Sequence, residues 1–267
     1  MSSLLAYESL IRAAVFLGVL GIMALWEIAT PRRRLELPKL LRWSNNLGLV
    51  VLDTAILRLA LPIMAVGVAA WISGQGYGLF PNLGLPLWAS TIMTVVVLDL
   101  AIYLQHRLFH AVPILWRLHR MHHSDPDYDV TTALRFHPIE IFLSMLIKMA
   151  VVAALGAPPE GVILFEIILN GSAMFNHANI RLPLGLDRVL RKVVVTPDMH
   201  RVHHSEIKAE ADSNFGFALS IWDHLFRTHT ADPSKGQEAM IFGIGAFKGT
   251  REMWLDKLIT QPFRKRT

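Results

Sequence analysis

Eight histidines fall into three short strings whose spacing suits metal ligation. His106 and His110 stand four residues apart in His106-Arg107-Leu108-Phe109-His110, and His119, His122 and His123 form H-x-x-H-H. His200, His203 and His204 repeat that second pattern. Residues three and four apart share one face of a helix, so each string can aim two imidazoles at one point. The remaining member of each H-x-x-H-H can reach a second ion beside the first. With 12 histidines in 267 residues, one H-x-x-H-H is expected about 0.02 times by chance, and this chain has two. Packing eight imidazoles together without a metal would bury polar nitrogens that lack partners.

Neutral imidazole suits zinc, copper, iron and nickel. One zinc takes four ligands, so eight or more histidines imply two ions. No H-E-x-x-H occurs, and neither a cysteine nor a methionine cluster points to copper. A pair of iron ions is the most economical reading, with zinc only as a mis-loaded metal. Given dioxygen and two electrons, such a site attacks an unactivated C–H bond. The absence of cysteine also excludes disulfides, iron–sulfur clusters and thiol nucleophiles.

The elements that hold these strings read as membrane helices. The chain is 53% hydrophobic and only 18% charged, with a mean hydropathy of +0.41, shifted toward the membrane on both counts. A bilayer core needs about 20 helical residues. Residues 13–29 supply one span, read as retained because Arg12 alone precedes it as a basic residue and no small-x-small cleavage site follows. Residues 47–72 supply a second, long enough to tilt, with Asp53 and Arg58 loosely paired inside it. Residues 85–104 form a third that runs straight into His106. Residues 139–155 and 162–175 flank Gly156-Ala157-Pro158-Pro159 as a hairpin.

Basic residues set the expected orientation. Arg32, Arg33, Arg34, Lys39 and Arg42 separate the first two spans, the turn at 73–84 has no Lys or Arg, and Arg107, Arg117, Arg120 and Arg135 follow the third span. The positive-inside rule then places the N-terminus outside and every histidine on the cytoplasmic side. The charge excess is small, 26 Lys+Arg against 21 Asp+Glu, and suggests no nucleic-acid partner. Arg264-Lys265-Arg266 reads as a solvated or lipid-headgroup contact. Gly243-Ile244-Gly245-Ala246-Phe247-Lys248-Gly249 has the wrong spacing for a dinucleotide loop.

With the strings around them, the boxes resemble the fatty acid hydroxylase / sterol desaturase superfamily of integral membrane di-iron oxidases over residues 98–228. Arg135-Phe136-His137-Pro138-Ile139-Glu140 is similar to the family's R-x-H-P-x-E, and His177-Ala178-Asn179 to its H-x-N. Thr196-Pro197-Asp198-Met199 leads into the last box. Asn214-Phe215-Gly216 and Trp222-Asp223-His224-Leu225-Phe226-Arg227-Thr228 resemble the closing stretch, with Arg227 where the family has glycine. The resemblance implies an all-α membrane protein of four to five membrane helices under a cytoplasmic, histidine-rich helical cap that holds a dinuclear metal site. It makes His106, His110, His119, His122, His123, His200, His203 and His204 the core ligands and His177 the ninth, with His137 as a ligand or a supporting group. Asp198, Asn214 and Asp223 are expected to bond the free N–H of ligating imidazoles. His224 and His229 are expected to be structural, and Trp222 and Phe226 to pack in the core.

The expected organisation is N-terminal membrane helices over 1–97, a catalytic domain over 98–230 that includes the hairpin 139–175, and a cytoplasmic tail over 231–267. The expected activity is hydroxylation or desaturation of a lipid C–H bond (sterol, sphingoid, fatty or alkyl) with two irons, dioxygen, no bound flavin or haem, and electrons from a separate reductase. The expected home is a bacterial inner membrane, or alternatively the endoplasmic reticulum. Two rival readings are a histidine-rich membrane metal transporter and a zinc-dependent membrane hydrolase. The first would need a polar path through the helices, where only Asp53, Asp99, Glu166 and a few others lie.

Overall fold

Proline and glycine divide the apolar regions into helices and turn them back on one another. The structure, a computed structural model, describes residues 7–265 and is helical throughout, with three isolated bridges and no strand among the described residues. The longer helices are α1 (Glu8–Ala29), α2 (Lys39–Ala60), α3 (Ala65–Gln75), α4 (Leu87–Ala111), α5 (Pro113–His123), α6 (Pro138–Leu155) and α7 (Pro159–Asn176). Four segments are long and apolar enough to cross a membrane: Glu8–Ala29, Lys39–Asn82, Leu87–Ala111 and Pro138–Leu155. This is the all-helical membrane architecture that the hydropathy predicts.

Three expectations need correction. Residues 47–72 are not one helix, because Pro62 lacks an N–H and disfavours helical backbone at Leu61, which is extended at φ −119° and ψ 117°. Asp53 does not pair with Arg58 either: Arg58 is exposed, whereas Asp53 is buried against a cavity. The third helix also outruns its expected end at 104, so that His106 and His110 ride on its last two turns.

The hairpin α6–α7 forms as expected, and its tip depends on glycine. Gly156 has φ +64°, and a Cβ there would lie 2.3 Å from Tyr77 O; one on Gly78, at φ +111°, would lie 2.2 Å from Gly156 N. The two turns therefore touch backbone to backbone. Leu57, Val68, Ile72, Phe80, Leu98, Ile102, Val152 and Phe165 bury the apolar layer between α2, α3, α4, α6 and α7.

Residues between and after these helices build a cap that is sewn to them by buried polar groups. Glu27 Oε1 accepts from Val130 N (2.6 Å) and Asn179 N (2.7 Å), fastening α1 to two loops. Arg42 reaches from α2 to Asp125 and Asp129, and Asn46 Nδ2 donates to Thr131 Oγ1 at 3.0 Å. Arg42, Arg135 and Arg201 are fully buried, so part of the basic content that marks orientation in the sequence is the internal framework of the cap. Asp99, inside α4, accepts from Trp222 Nε1 (2.8 Å), Ala218 N and Leu219 N. It ties a loop to a helix.

Residues 231–265 pack on the cap as an integral part of it. Phe242 stacks on Tyr128 at 5.2 Å, Met253 is fully buried, and Arg120 donates to Gln261 O and Arg264 O. Arg264 pairs with Glu252, and Arg266 lies outside the described residues. Gly243, Gly245 and Gly249 all adopt positive φ in a loop without a flanking strand.

Candidate metal centre

Four helical elements bring nine imidazoles together. The end of α4 supplies His106 and His110, and α5 supplies His119, His122 and His123. His177 caps the C-terminus of α7, and α8 (Pro197–His203) with its cap carries His200, His203 and His204. Val112 connects α4 to α5 in one extended residue, with Pro113 starting the new helix. The two helices turn sharply and present their boxes to each other. Thr196 Oγ1 accepts from Met199 N at 3.3 Å and fixes the start of α8.

The nine sort into two adjoining groups. His106, His110, His119, His123 and His203 form one, and His122, His177, His200 and His204 the other, with the ligand atoms of each group within 4.8 Å of one another. In both H-x-x-H-H boxes the i,i+4 pair serves one group and the i+3 member the other: His119 and His123 with His122 opposite, His200 and His204 with His203 opposite. Each box thus contributes to both groups, and every element but α4 and α7 is shared between them.

Proton counting shows why these rings suit a cation. Nδ1 of His106 donates to Phe215 O (2.8 Å), Nδ1 of His203 to Ser213 O (2.7 Å) and Nδ1 of His177 to Ala173 O (2.8 Å). His119 Nδ1 meets Glu140 Oε1 at 2.6 Å and His110 Nδ1 meets Asp212 Oδ1 at 3.2 Å. A neutral imidazole has a single N–H, so Nε2 of these rings is a bare lone pair. Yet His106 Nε2 and His119 Nε2 face each other at 3.1 Å, His119 and His123 at 3.2 Å, and His177 lies 3.1 Å from His122 and 3.2 Å from His200. In the His106–His119 pair both Nδ1 atoms are engaged, and two lone pairs so placed repel unless a cation lies between them. Two nitrogens about 2.0–2.1 Å from one ion at tetrahedral or octahedral angles stand about 2.9–3.4 Å apart, which is the spacing observed. Nε2 of His203 and of His204 are buried with no hydrogen-bond partner at all.

Burial keeps the rings in the metal-binding form. It pushes the His119 and His177 pKa down to about 3. Burial, with neighbouring imidazoles, holds His122, His123, His200, His203 and His204 well below the ordinary value. All are neutral at physiological pH, and neutral imidazole is the ligand.

The expected supporting residues fall elsewhere. Asp198 pairs with Arg201 and Arg32, and Asn214 Nδ2 donates to Met199 O and Thr230 O. Asp223 accepts from Phe215 N and Gly216 N, both at 2.8 Å. None of the three touches a ligand ring, although Asp223 fixes the loop whose Phe215 carbonyl orients His106. The carboxylates that do meet the rings are Glu140 and Asp212. Glu140 had a sequence signal, a carboxylate in the first turn of an apolar helix directly after His137-Pro138; Asp212 had none. The His224 and His229 rings lie 4.4 Å apart, tilted by 54°, outside both groups. Trp222 is buried as expected, but Phe226 is 40% exposed and stacks on Tyr103. Arg227 has φ +57°, a left-handed conformation that glycine adopts without cost.

His137 joins neither group. Its Nδ1 accepts from Ile139 N at 3.2 Å as the N-cap of α6, and its Nε2 meets Ile259 O at 3.0 Å. His137→Ala is therefore expected to keep the full metal content while lowering stability by about 1 kcal/mol, a lost cap. Elemental analysis beside a thermal melt checks this, and loss of metal would return His137 to the ligand set.

A cavity of about 310 Å³ opens beside the first group. Its lining includes His106, His119, Phe136 and Glu140 beside the histidines, the apolar Ile102, Phe109, Leu134, Met145 and Ala173, and the charged Arg12, Lys148 and Glu166.

Comparison with known proteins agrees with the histidine pattern. Residues 91–228 match the family described as fatty acid hydroxylase. Over 224 residues the chain is 27% identical to the ornithine lipid hydroxylase OlsE of Rhizobium tropici, covering 82% of this chain and 67% of that protein. It is 31% identical to human alkylglycerol monooxygenase over 164 residues, covering 60% of this chain but only 34% of that enzyme. It is 26% identical to the fatty acid hydroxylase vlmA of a Lecanicillium species, over 68% of this chain and 55% of that protein. No solved structure matches the chain significantly.

Proposed function

The chain belongs to the fatty acid hydroxylase family, and on that footing we propose that this oxidoreductase hydroxylates a C–H bond of a membrane lipid at a pair of iron ions held by its nine histidines. The observation that carries this reading is the convergence of nine buried imidazoles in two groups whose ligand atoms lie within 4.8 Å of one another, with His106 and His119 also lining a largely apolar cavity. The names of the relatives, a lipid hydroxylase, a monooxygenase and a fatty acid hydroxylase, favour hydroxylation over desaturation. Iron bound there would supply reductive activation of dioxygen for insertion of one oxygen atom.

The protein's own residues supply position and exclusion. His106, His110, His119, His123 and His203 would hold one ion, and His122, His177, His200 and His204 the other. The Phe215 and Ser213 carbonyls and the Glu140 and Asp212 carboxylates fix ring orientation and keep Nε2 as the donor atom. Ile102, Phe109, Leu134, Phe136 and Met145 form a wall that admits an alkyl chain and keeps bulk water from the reacting carbon. Two electrons per turnover come from a separate reductase in this reading. The Lys and Arg distribution supports a cytoplasmic centre.

Elemental analysis and a Mössbauer spectrum of detergent-purified protein, grown on iron-57, test the centre. Two coupled irons per chain are expected, and chelation should lower the melting temperature because metal binds only the folded state. A well-folded sample that takes up no iron would overturn the reading.

A further inference from the structure

Apart from Glu166 Oε2, which lies 2.9 Å from Arg12, three acceptor oxygens on the cavity wall are buried without a hydrogen-bond partner. They are Asp53 Oδ1, Glu140 Oε2 and Gln105 Oε1, and all three residues line the cavity. Asp53 is 7% exposed and Glu140 4%. Glu140 spends its other oxygen on His119, and Gln105 Nε2 donates to Ser144 Oγ at 2.6 Å. The cavity's cations are already committed elsewhere: Lys148 lies 2.7 Å from Glu166, and Arg12 bridges Glu166 (2.9 Å) and Glu8 (2.5 Å). None of these pairs with Asp53, and Asp53 belongs to neither metal-binding group. An ionisable side chain within a membrane-spanning helix is costly, and it ordinarily faces a partner or a cavity that brings one.

The placement is as informative as the chemistry. Glu140 touches a ligand ring, Gln105 precedes His106, and Asp53 lies within Coulombic reach of Glu140. Lys148 sits eight residues farther along α6, about 12 Å away at the helical rise. The acceptor-rich wall is thus at the metal end of the cavity, and the balanced Lys148–Glu166–Arg12 network is at the other.

We propose that the cavity receives a lipid whose polar group carries a hydrogen-bond donor, a hydroxyl or an amine, and that Asp53 and Glu140 accept from it beside the metal centre. The carbon oxidised then lies close to the polar group rather than in the middle or at the tip of the chain. This rests on the lipid hydroxylase reading and specifies its substrate class.

Binding of four probes to the iron-loaded protein in detergent tests it: dodecylamine, 1-dodecanol, dodecyl methyl ether and laurate. The two donor-bearing chains should bind about tenfold more tightly than the ether and the carboxylate. In Asp53→Leu, which replaces the carboxylate with an apolar side chain of similar size, the four should bind within about twofold of one another. Equal binding of all four to the unaltered protein, or a donor preference that survives in folded Asp53→Leu, overturns the proposal and leaves the lipid reading standing. Binding of none of the four overturns the lipid reading, and the proposal with it. The comparison on the unaltered protein decides even if Asp53→Leu fails to fold.

Discussion

His203→Ala and His204→Ala should each lower lipid product by at least about 100-fold, and each should lose metal from a different position. His203 completes the group of His106, His110, His119 and His123, whereas His204 completes that of His122, His177 and His200. Neither Nε2 has any other partner, so removing either ring disturbs no hydrogen bond of that atom, although His203→Ala also removes the donor to Ser213 O. Each variant should retain about one tightly held iron against the two expected of the unaltered protein, and the spectroscopic coupling expected between them should vanish. Lipid extracts from cells expressing each variant, compared with metal content of the purified proteins, provide the measurement. A variant that keeps both irons and full product would remove its histidine from the centre. Loss of metal flux with an unchanged lipid profile would instead favour the transporter reading.

The outline of this centre was legible because its ligands are local. Three of the four ligand-bearing segments are short strings in which helical geometry alone decides which rings converge, so H-x-x-H-H can be read without a fold. What the strings do not reveal is the split within each box, i,i+4 to one group and i+3 to the other, because that depends on how α5 and α8 face each other. The partners of Nδ1 were less accessible still. Three of the five are backbone carbonyls, Phe215, Ser213 and Ala173, and a carbonyl has no residue identity to recognise. Conspicuous polar residues of the motif region, Asp198, Asn214 and Asp223, drew attention instead, although they organise the loops around the site. The same limit applies to the fold. Hydropathy found the membrane helices, but a window average passes over one Pro62 within residues 47–72. Basic residues read as markers of orientation do double duty as buried framework, since charge counting carries no information on burial.

That framework leads to the second large effect, on stability rather than chemistry. Arg42 is fully buried, and its guanidinium grips Asp125 through Nε (3.0 Å) and Nη2 (2.8 Å), reaches Asp129 through Nη1, and donates to Thr132 Oγ1 at 3.1 Å. Asp129 in turn caps the short helical turn Val130–Leu134, and Asp125 follows the second histidine box by two residues. Arg42→Ala leaves two buried carboxylates with only Arg135, 3.9 Å from Asp125, as a cation beside them, and breaking a buried pair in this way costs about 3–5 kcal/mol. The melting temperature should fall by on the order of 10 °C, with loss of metal following because the end of α5 is no longer held. Arg42→Lys should recover only part of the loss, since an ammonium cannot reproduce the forked contact with both oxygens of Asp125. Arg34→Ala, at an exposed arginine of the preceding loop, should shift the melting temperature by no more than about 0.5 kcal/mol in equivalent stability. Thermal melts of the three variants in one detergent separate these outcomes. If Arg42→Ala melts with the unaltered protein, the cap is held by its apolar contacts, and the buried ion cluster serves some other end.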